Sequence, residues 1–162
     1  MAHRALLDDY LAGVELLREA VTGLTREQAR ARPIPGKWST LEVVCHLADF
    51  EPIYADRIKR VLSFDRPLLL AADEAGFARK LAYHDRDLNE EVELIVLTRR
   101  QLAAILRAAD DADWQRSGVH SENGLVTVEQ LLSQAVRHIR HHVPFIEEKR
   151  RALGLGAAAK GG

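Results

Sequence analysis

Three histidines lie close together near the end of the chain, and the spacing of two of them suits metal binding. His138 and His142 are four residues apart, with His141 between them. Each residue of an α-helix turns about 100°, so residues four apart share one face, with Cβ atoms about 5–6 Å apart. Two imidazoles at this spacing can share one metal ion, as in the H-E-x-x-H zinc helix. His141 points further towards solvent on the same helical wheel.

A metal held by two histidines of one helix needs a further ligand from another element, and His46 is the candidate. His46 lies at the edge of the apolar stripe of its own helix, as His138 and His142 do on theirs. Three histidines from two helices could therefore converge and leave coordination positions open, which distinguishes catalytic from structural metal sites. Chance spacing of two histidines, or a solvated histidine face, would give the same pattern. Spacing alone leaves these interpretations open.

The elements that position these residues are predicted to be helices almost throughout. Apolar residues recur every three or four positions over four long segments. These segments are residues 4–22, 40–63, 86–109 and 128–152. The patterns S-x-x-E at 39–42 and T-x-x-Q at 127–130 predict capping boxes at two of the helix starts. The sequence therefore predicts an all-α fold, a four-helix bundle with a crossover connection.

The remaining segments are predicted to be connections around a single domain. A weaker helix is expected over residues 73–82, and residues 64–72 are expected to be a plain connection. Residues 110–126 form the longest stretch without helical periodicity and contain several turn residues. We expect one domain over residues 1–154, followed by a disordered tail at 155–162.

Composition excludes several classes of protein. Of the 162 residues, 47 % are hydrophobic and 29 % are charged, as in globular domains and unlike disordered or collagen-like chains. The formal net charge of -1 lacks the basic excess of proteins that bind phosphates, so we expect no nucleic-acid partner. The single cysteine, Cys45, favours a reducing compartment. No signal peptide or membrane-length apolar run is found, so we expect a cytoplasmic protein with no membrane partner.

Three segments together resemble the DinB/YfiT-like superfamily. They are W-S-T-L-E-V-V-C-H-L-A-D at 38–49, G-V-H-S-E-N-G at 118–124 and R-H-I-R-H-H at 137–142. The order of elements over about residues 4–152 is also similar. The resemblance implies a four-helix bundle, a divalent metal site formed by three histidines, and a homodimer. At the matching positions of this sequence the three histidines are His46, His138 and His142.

The same resemblance implies an activity for the metal site. It favours a thiol-dependent S-transferase that uses a low-molecular-weight thiol on a small-molecule substrate. The alternatives are a metal-dependent hydrolase and a non-catalytic bundle that binds metal. Zn²⁺, Ni²⁺, Mn²⁺ and Fe²⁺ all remain candidates because imidazole ligands suit each of these ions.

Further candidate catalytic residues lie outside the three histidines. Glu122 could act as a general base, and His120 of the same loop could overhang the metal. Arg57 could bind an anionic group of a thiol cofactor. Each also has a structural interpretation, as a polar loop residue or as a partner of a neighbouring carboxylate. The sequence departs from YfiT-like chains at Phe145, where a further His or Gln is common, and at Pro144, which removes a helical hydrogen bond.

Overall fold

The helical periodicity of the sequence is realised in a computed structural model that describes residues 2–156. The helices are α1 (Ala2–Val21), α2 (Arg26–Arg30), α3 (Thr40–Ser63), α4 (Glu74–Lys80), α5 (Leu88–Arg107), α6 (Asp111–Gln115) and α7 (Val128–Ala152). The strands are β1 (Leu68–Leu69), β2 (Ser117–His120) and β3 (Gly124–Thr127). The four long helices, α1, α3, α5 and α7, confirm the four predicted segments to within two residues at each end.

Capping boxes fix where the two histidine-bearing helices begin. The Ser39 side chain accepts a hydrogen bond from the Glu42 backbone N–H, and the Glu42 carboxylate accepts one from the Ser39 backbone N–H. Thr127 and Gln130 form the same pair at the start of α7. These bonds satisfy backbone N–H groups that have no partner within the helix. Both predicted capping boxes are therefore confirmed.

The four long helices form a bundle in which α1 lies diagonally opposite α3, and α5 lies diagonally opposite α7. Helix α1 packs against α5 and α7, and α3 packs against the same two helices. The α1–α3 connection and the α5–α7 connection therefore both cross an end of the bundle. The predicted crossover is confirmed. This arrangement places α3 directly beside α7, which brings their histidine-bearing faces together.

A buried polar network ties all four long helices together in the middle of the core. Arg99 of α5 donates to the Glu51 carboxylate of α3 at 2.9 Å and to the Ala135 carbonyl of α7 at 2.9 Å. Its other terminal nitrogen donates to the Tyr10 carbonyl of α1. The Tyr10 hydroxyl donates to Glu51 at 2.6 Å. A Cβ at Gly13 would lie 2.5 Å from this guanidinium, so the close approach of α1 requires a glycine.

A small sheet at one side of the bundle was not expected from the sequence. Strand β1 pairs in parallel with β2, and β2 pairs antiparallel with β3. The segment 64–72 is thus not a plain connection, and the segment 110–126 holds α6 and most of a hairpin. Strands of two to four residues are too short to show alternation in sequence. Gly118 permits the contact between β1 and β2, because a Cβ there would lie 2.8 Å from Leu69 Cδ1.

Helices α3 and α7 each continue through their internal proline, Pro52 and Pro144. The Leu155 backbone N–H donates to the Arg150 carbonyl at the end of α7. The rest of the predicted tail, residues 157–162, lies outside the described residues, and the single-domain boundary stays a prediction. Within residues 2–156, every helix is too short or too polar to cross a lipid bilayer.

Candidate metal centre

His46 of α3 meets His138 and His142 of α7 where the two helices pack together. The Nε2 atoms of His46 and His138 are 2.8 Å apart. One ring nitrogen from each of the three residues lies within 4.8 Å of the others. The three pairs of ring centroids are 4.7, 4.8 and 4.9 Å apart. The predicted convergence of two histidines from one helix with one from another is therefore present in the fold.

Aromatic side chains surround the histidine cluster. The Trp38 ring lies 5.5 Å from His46, and the Phe50 ring lies 4.6 Å from His46 and 5.6 Å from His138. The Tyr54 ring lies 5.7 Å from His138. These rings exclude water from much of the imidazole surface. They strengthen electrostatic interactions at the cluster because they lower the local dielectric constant.

All three imidazoles are held in the neutral form. Burial, together with the charge of the nearby histidines, lowers the pKa of His138 to about 3 and that of His142 to about 4. Burial also lowers the pKa of His46. A metal ion binds the neutral imidazole, so no proton has to be displaced near neutral pH.

The polar atoms of the cluster fit a divalent ion. The Nδ1 atoms of His46, His138 and His142 are buried, and none has a hydrogen-bond partner among the described residues. Metal ligation uses one nitrogen of each ring, and one ring nitrogen from each of the three residues lies within 4.8 Å of the others, close enough to share one ion. The Nε2 atoms of His46 and His138 face each other at 2.8 Å, which points to Nε2 as the ligand atom of these two rings and to Nδ1 as the outer nitrogen. The donor set suits Zn²⁺, Ni²⁺, Mn²⁺ or Fe²⁺ without choosing among them.

The structure places Glu122, His120 and Arg57 together, away from the three-histidine group. His120 is buried in β2, and its Nδ1 accepts hydrogen bonds from the backbone N–H groups of Glu122 and Asn123. Glu122 is exposed at the tip of the hairpin. Arg57 donates to the Leu70 carbonyl beside β1 at 2.5 Å. These contacts favour a structural part for the three residues, while their catalytic roles stay predictions.

Two cavities open onto the histidine cluster from different sides. The Tyr54 cavity has a volume of about 590 Å³ and is lined by Tyr54, Gln134, Arg137, His138, Arg140 and His141. The Lys149 cavity has a volume of about 340 Å³ and is lined by Gly36, Lys37, Trp38, Val43, Glu74, His142, Phe145 and Lys149. Each cavity includes one histidine of the cluster, His138 in the first and His142 in the second, so a small molecule in either one lies next to the cluster.

Three charged residues of the Lys149 cavity, Lys37, Glu74 and Lys149, were missed by the sequence analysis. Lys149 lies seven residues after His142, and a helical wheel places the two on the same face, so the signal was available. Glu74 comes from α4, a helix distant in sequence from all three histidines, and no spacing rule points to it. His141 is exposed on the outer side of His142, as the wheel predicts.

Comparisons with known proteins agree with this geometry. A model of the DinB superfamily matches residues 11–146. Two curated relatives, from Bacillus licheniformis and Bacillus subtilis, each carry the name "Putative metal-dependent hydrolase". The first is 27% identical over 91% of this chain and 85% of its own length. The second, YfiT, is 27% identical over 85% of this chain and 78% of its own length.

A solved structure shows the same fold. It is that of YfiT from Bacillus subtilis, described as a probable metal-dependent hydrolase with an unusual four-helix bundle topology. The TM-score is 0.87 and the sequence identity 24%, over 95% of this chain and 89% of the other.

Proposed function

This chain belongs to the DinB superfamily, and from that premise we propose that it is a metal-dependent hydrolase of small molecules. The observation that carries the proposal is the convergence of His46, which is buried, with His138 and His142, which are half-buried, in a neutral cluster. The names of the curated relatives support hydrolysis over the S-transfer that the sequence resemblance favours. The thiol-dependent S-transferase activity, with its low-molecular-weight thiol, stays a prediction.

The three histidines would hold the ion, and three protein ligands leave room for a substrate or a water molecule, as in catalytic zinc sites. A divalent ion bound there supplies Lewis-acid chemistry, polarising a substrate carbonyl or lowering the pKa of water. The aromatic shell keeps the three ligands neutral and in place. Glu74 is the carboxylate that lines the same cavity as His142, so we assign it the role of proton acceptor.

Metal content is the first test of this proposal. We expect purified, tag-free protein to hold close to one divalent ion per chain by elemental analysis. His46→Ala, His138→Ala and His142→Ala should each lose most of the metal. His141→Ala is the matched control and should retain it, because His141 is exposed on the outer side of the cluster. Equal loss from all four variants would contradict the proposed ligand set.

Hydrolysis of a panel of aryl esters and amides is the second test. Activity should disappear with a chelator and return with added Zn²⁺, Ni²⁺, Mn²⁺ or Fe²⁺. We expect Glu74→Gln to lower kcat by about 10²–10⁴-fold, the usual contribution of a general base, without loss of metal. Glu90→Gln, at an exposed position of α5 outside both cavities, serves as the control carboxylate and should leave kcat unchanged. Full metal loading with thiol-dependent transfer and no hydrolysis would overturn the hydrolase proposal.

The oligomeric state, the cellular location and the absence of a nucleic-acid partner are further predictions from the sequence, and each is tested by a different measurement. The homodimer can be tested by sedimentation, and the cytoplasmic location by fractionation. The absence of a nucleic-acid partner predicts no salt-dependent affinity for DNA. None of these outcomes affects the proposed metal ligands.

A further inference from the structure

A buried lysine without a carboxylate partner lies beside the proposed metal centre. Lys149 is 2 % exposed, and its Nζ donates to the Phe145 carbonyl at 3.0 Å. Across residues 2–156, no carboxylate oxygen forms an ion pair with this Nζ. An ammonium carries three donors, so most of its hydrogen-bonding capacity is unused by the protein. A buried charge that is not paired is costly, and proteins usually keep one only where it has a use.

The neighbouring cations of α7 and the preceding loop have structural partners. Lys37, which is about half exposed, bonds to both carboxylate oxygens of Glu148 at 3.3 Å. Arg150 donates to the carbonyls of Ala20 and Thr22 at the end of α1. Lys149 differs from both neighbours, because its partner is the Phe145 carbonyl of its own helix, in whose last turn it lies, and within the described part of the chain it has neither a carboxylate partner nor a second helix end as partner.

The Lys149 cavity joins this ammonium to the metal centre. His142 and Lys149 both line it, and the rings of Trp38 and Phe145 provide apolar walls. Its volume of about 340 Å³ is at the small end of the range for ligand pockets. Glu74 lies at the same cavity and would repel a highly charged anion. One unpaired ammonium, apolar walls and a nearby carboxylate suit a small monoanion with a planar apolar body.

We propose that the substrates of this site carry a carboxylate that Lys149 binds, while the scissile group faces His142. That the ligand is a substrate rests on the proposed hydrolase function. That the ligand carries a carboxylate rests on the structure alone. Lys149 is then a residue that determines specificity. The ammonium orients the ligand in the Lys149 cavity, and the aromatic walls hold its planar part.

Binding of a matched pair of small molecules tests the proposal. The probes are phenylacetate and its neutral counterpart phenylacetamide, measured by calorimetry on the full chain. We expect wild-type protein to bind the carboxylate about tenfold more tightly than the amide, because a charge-assisted hydrogen bond is stronger than a neutral one. Lys149→Met should abolish the preference, and Lys149→Arg should retain part of it. Lys59→Met is the matched control and should keep the wild-type preference, because Lys59 lies outside the cavity and bonds to Gln101.

Metal-free protein separates Lys149 from the ion as the anion-binding group. The preference for phenylacetate should persist after chelation, because Lys149 does not depend on the metal. A preference that disappears with the metal, or that Lys149→Met retains, overturns the proposal. Equal binding of the two probes by wild-type protein also overturns it, and this measurement requires no variant to fold.

The hydrolase proposal is tested by separate measurements. Metal content and turnover of neutral esters test hydrolysis and do not involve Lys149. A carboxylate preference without hydrolysis would leave the Lys149 site standing and remove the proposed activity. Hydrolysis without a carboxylate preference would do the reverse.

Discussion

At the scale of single residues, burial decides the chemistry more than residue type does. The three clustered histidines are neutral because they are buried beside one another. Cys45 is also buried, and its thiol lies 3.5 Å from the Tyr83 carbonyl. Burial raises the pKa of Cys45 to about 12. A cysteine in this state is a small core residue rather than a nucleophile.

We predict that Cys45 resists alkylation in the folded protein. Only the thiolate reacts, and a pKa raised above its usual value of 9.0 keeps the thiol protonated at pH 8.5. Reaction with iodoacetamide, followed by mass spectrometry, should be at least a hundredfold slower than in urea-unfolded protein. The rate should still be rising with pH above 10. Fast labelling of the folded chain at pH 8 would contradict the assignment.

At the scale of elements, the helix starts position the site. Helix α3 carries His46 less than two turns after its capping box, and the Glu42 carboxylate of that box also accepts hydrogen bonds from Arg32. The side chain of Ser39 is fully buried. The cap therefore links the loop before α3 to the helix. The capping box of α2 at Thr25 has the same chemistry on a five-residue helix that buries only Ala29.

We predict that Ser39→Ala lowers the free energy of unfolding by about 1 kcal/mol, the usual cost of a lost N-cap. Urea denaturation followed by circular dichroism measures it. Thr25→Ala is the matched control and should cost less, because α2 contributes few core contacts. Metal content should change little in either variant, since neither cap touches the histidines. A cost at Thr25 equal to or above that at Ser39 would count against this account.

At the scale of the whole molecule, the Arg99–Glu51–Tyr10 network fixes how the four long helices meet. Arg99 and Glu51 are both fully buried, and their hydrogen bonds reach α1, α3, α5 and α7. Breaking one partner of a buried ion pair leaves an uncompensated charge in the core. Replacing both partners with apolar side chains of similar size removes that cost.

We predict that Arg99→Met and Glu51→Leu each lower the free energy of unfolding by about 3–5 kcal/mol. The double variant should lose clearly less than the sum of the two single losses. Chemical denaturation of the wild type, the two single variants and the double variant gives the four free energies that a double-mutant cycle requires. Strict additivity would show that the two charges are not coupled, and would contradict the network.

The periodicity of this sequence was sufficient to predict the bundle and its caps. Long amphipathic helices repeat their signal over many turns, so the four predicted segments are confirmed. The short strands were missed because two to four residues carry no measurable period, and pairing with a distant segment is what stabilises them. The short α6 was missed for the same reason, although Asp110 caps it.

The candidate site, like the fold, was predicted from the sequence only in part. The four-residue spacing of His138 and His142, and the edge position of His46, are local properties of helices, and the sequence by itself determined that these side chains could meet. Which other residues share the site was decided only by tertiary structure. Lys149 and Glu74 reach one cavity from α7 and α4, while Arg57, His120 and Glu122 gather at the hairpin. Helical periodicity is encoded between near neighbours, whereas the packing of distant elements depends on the whole core.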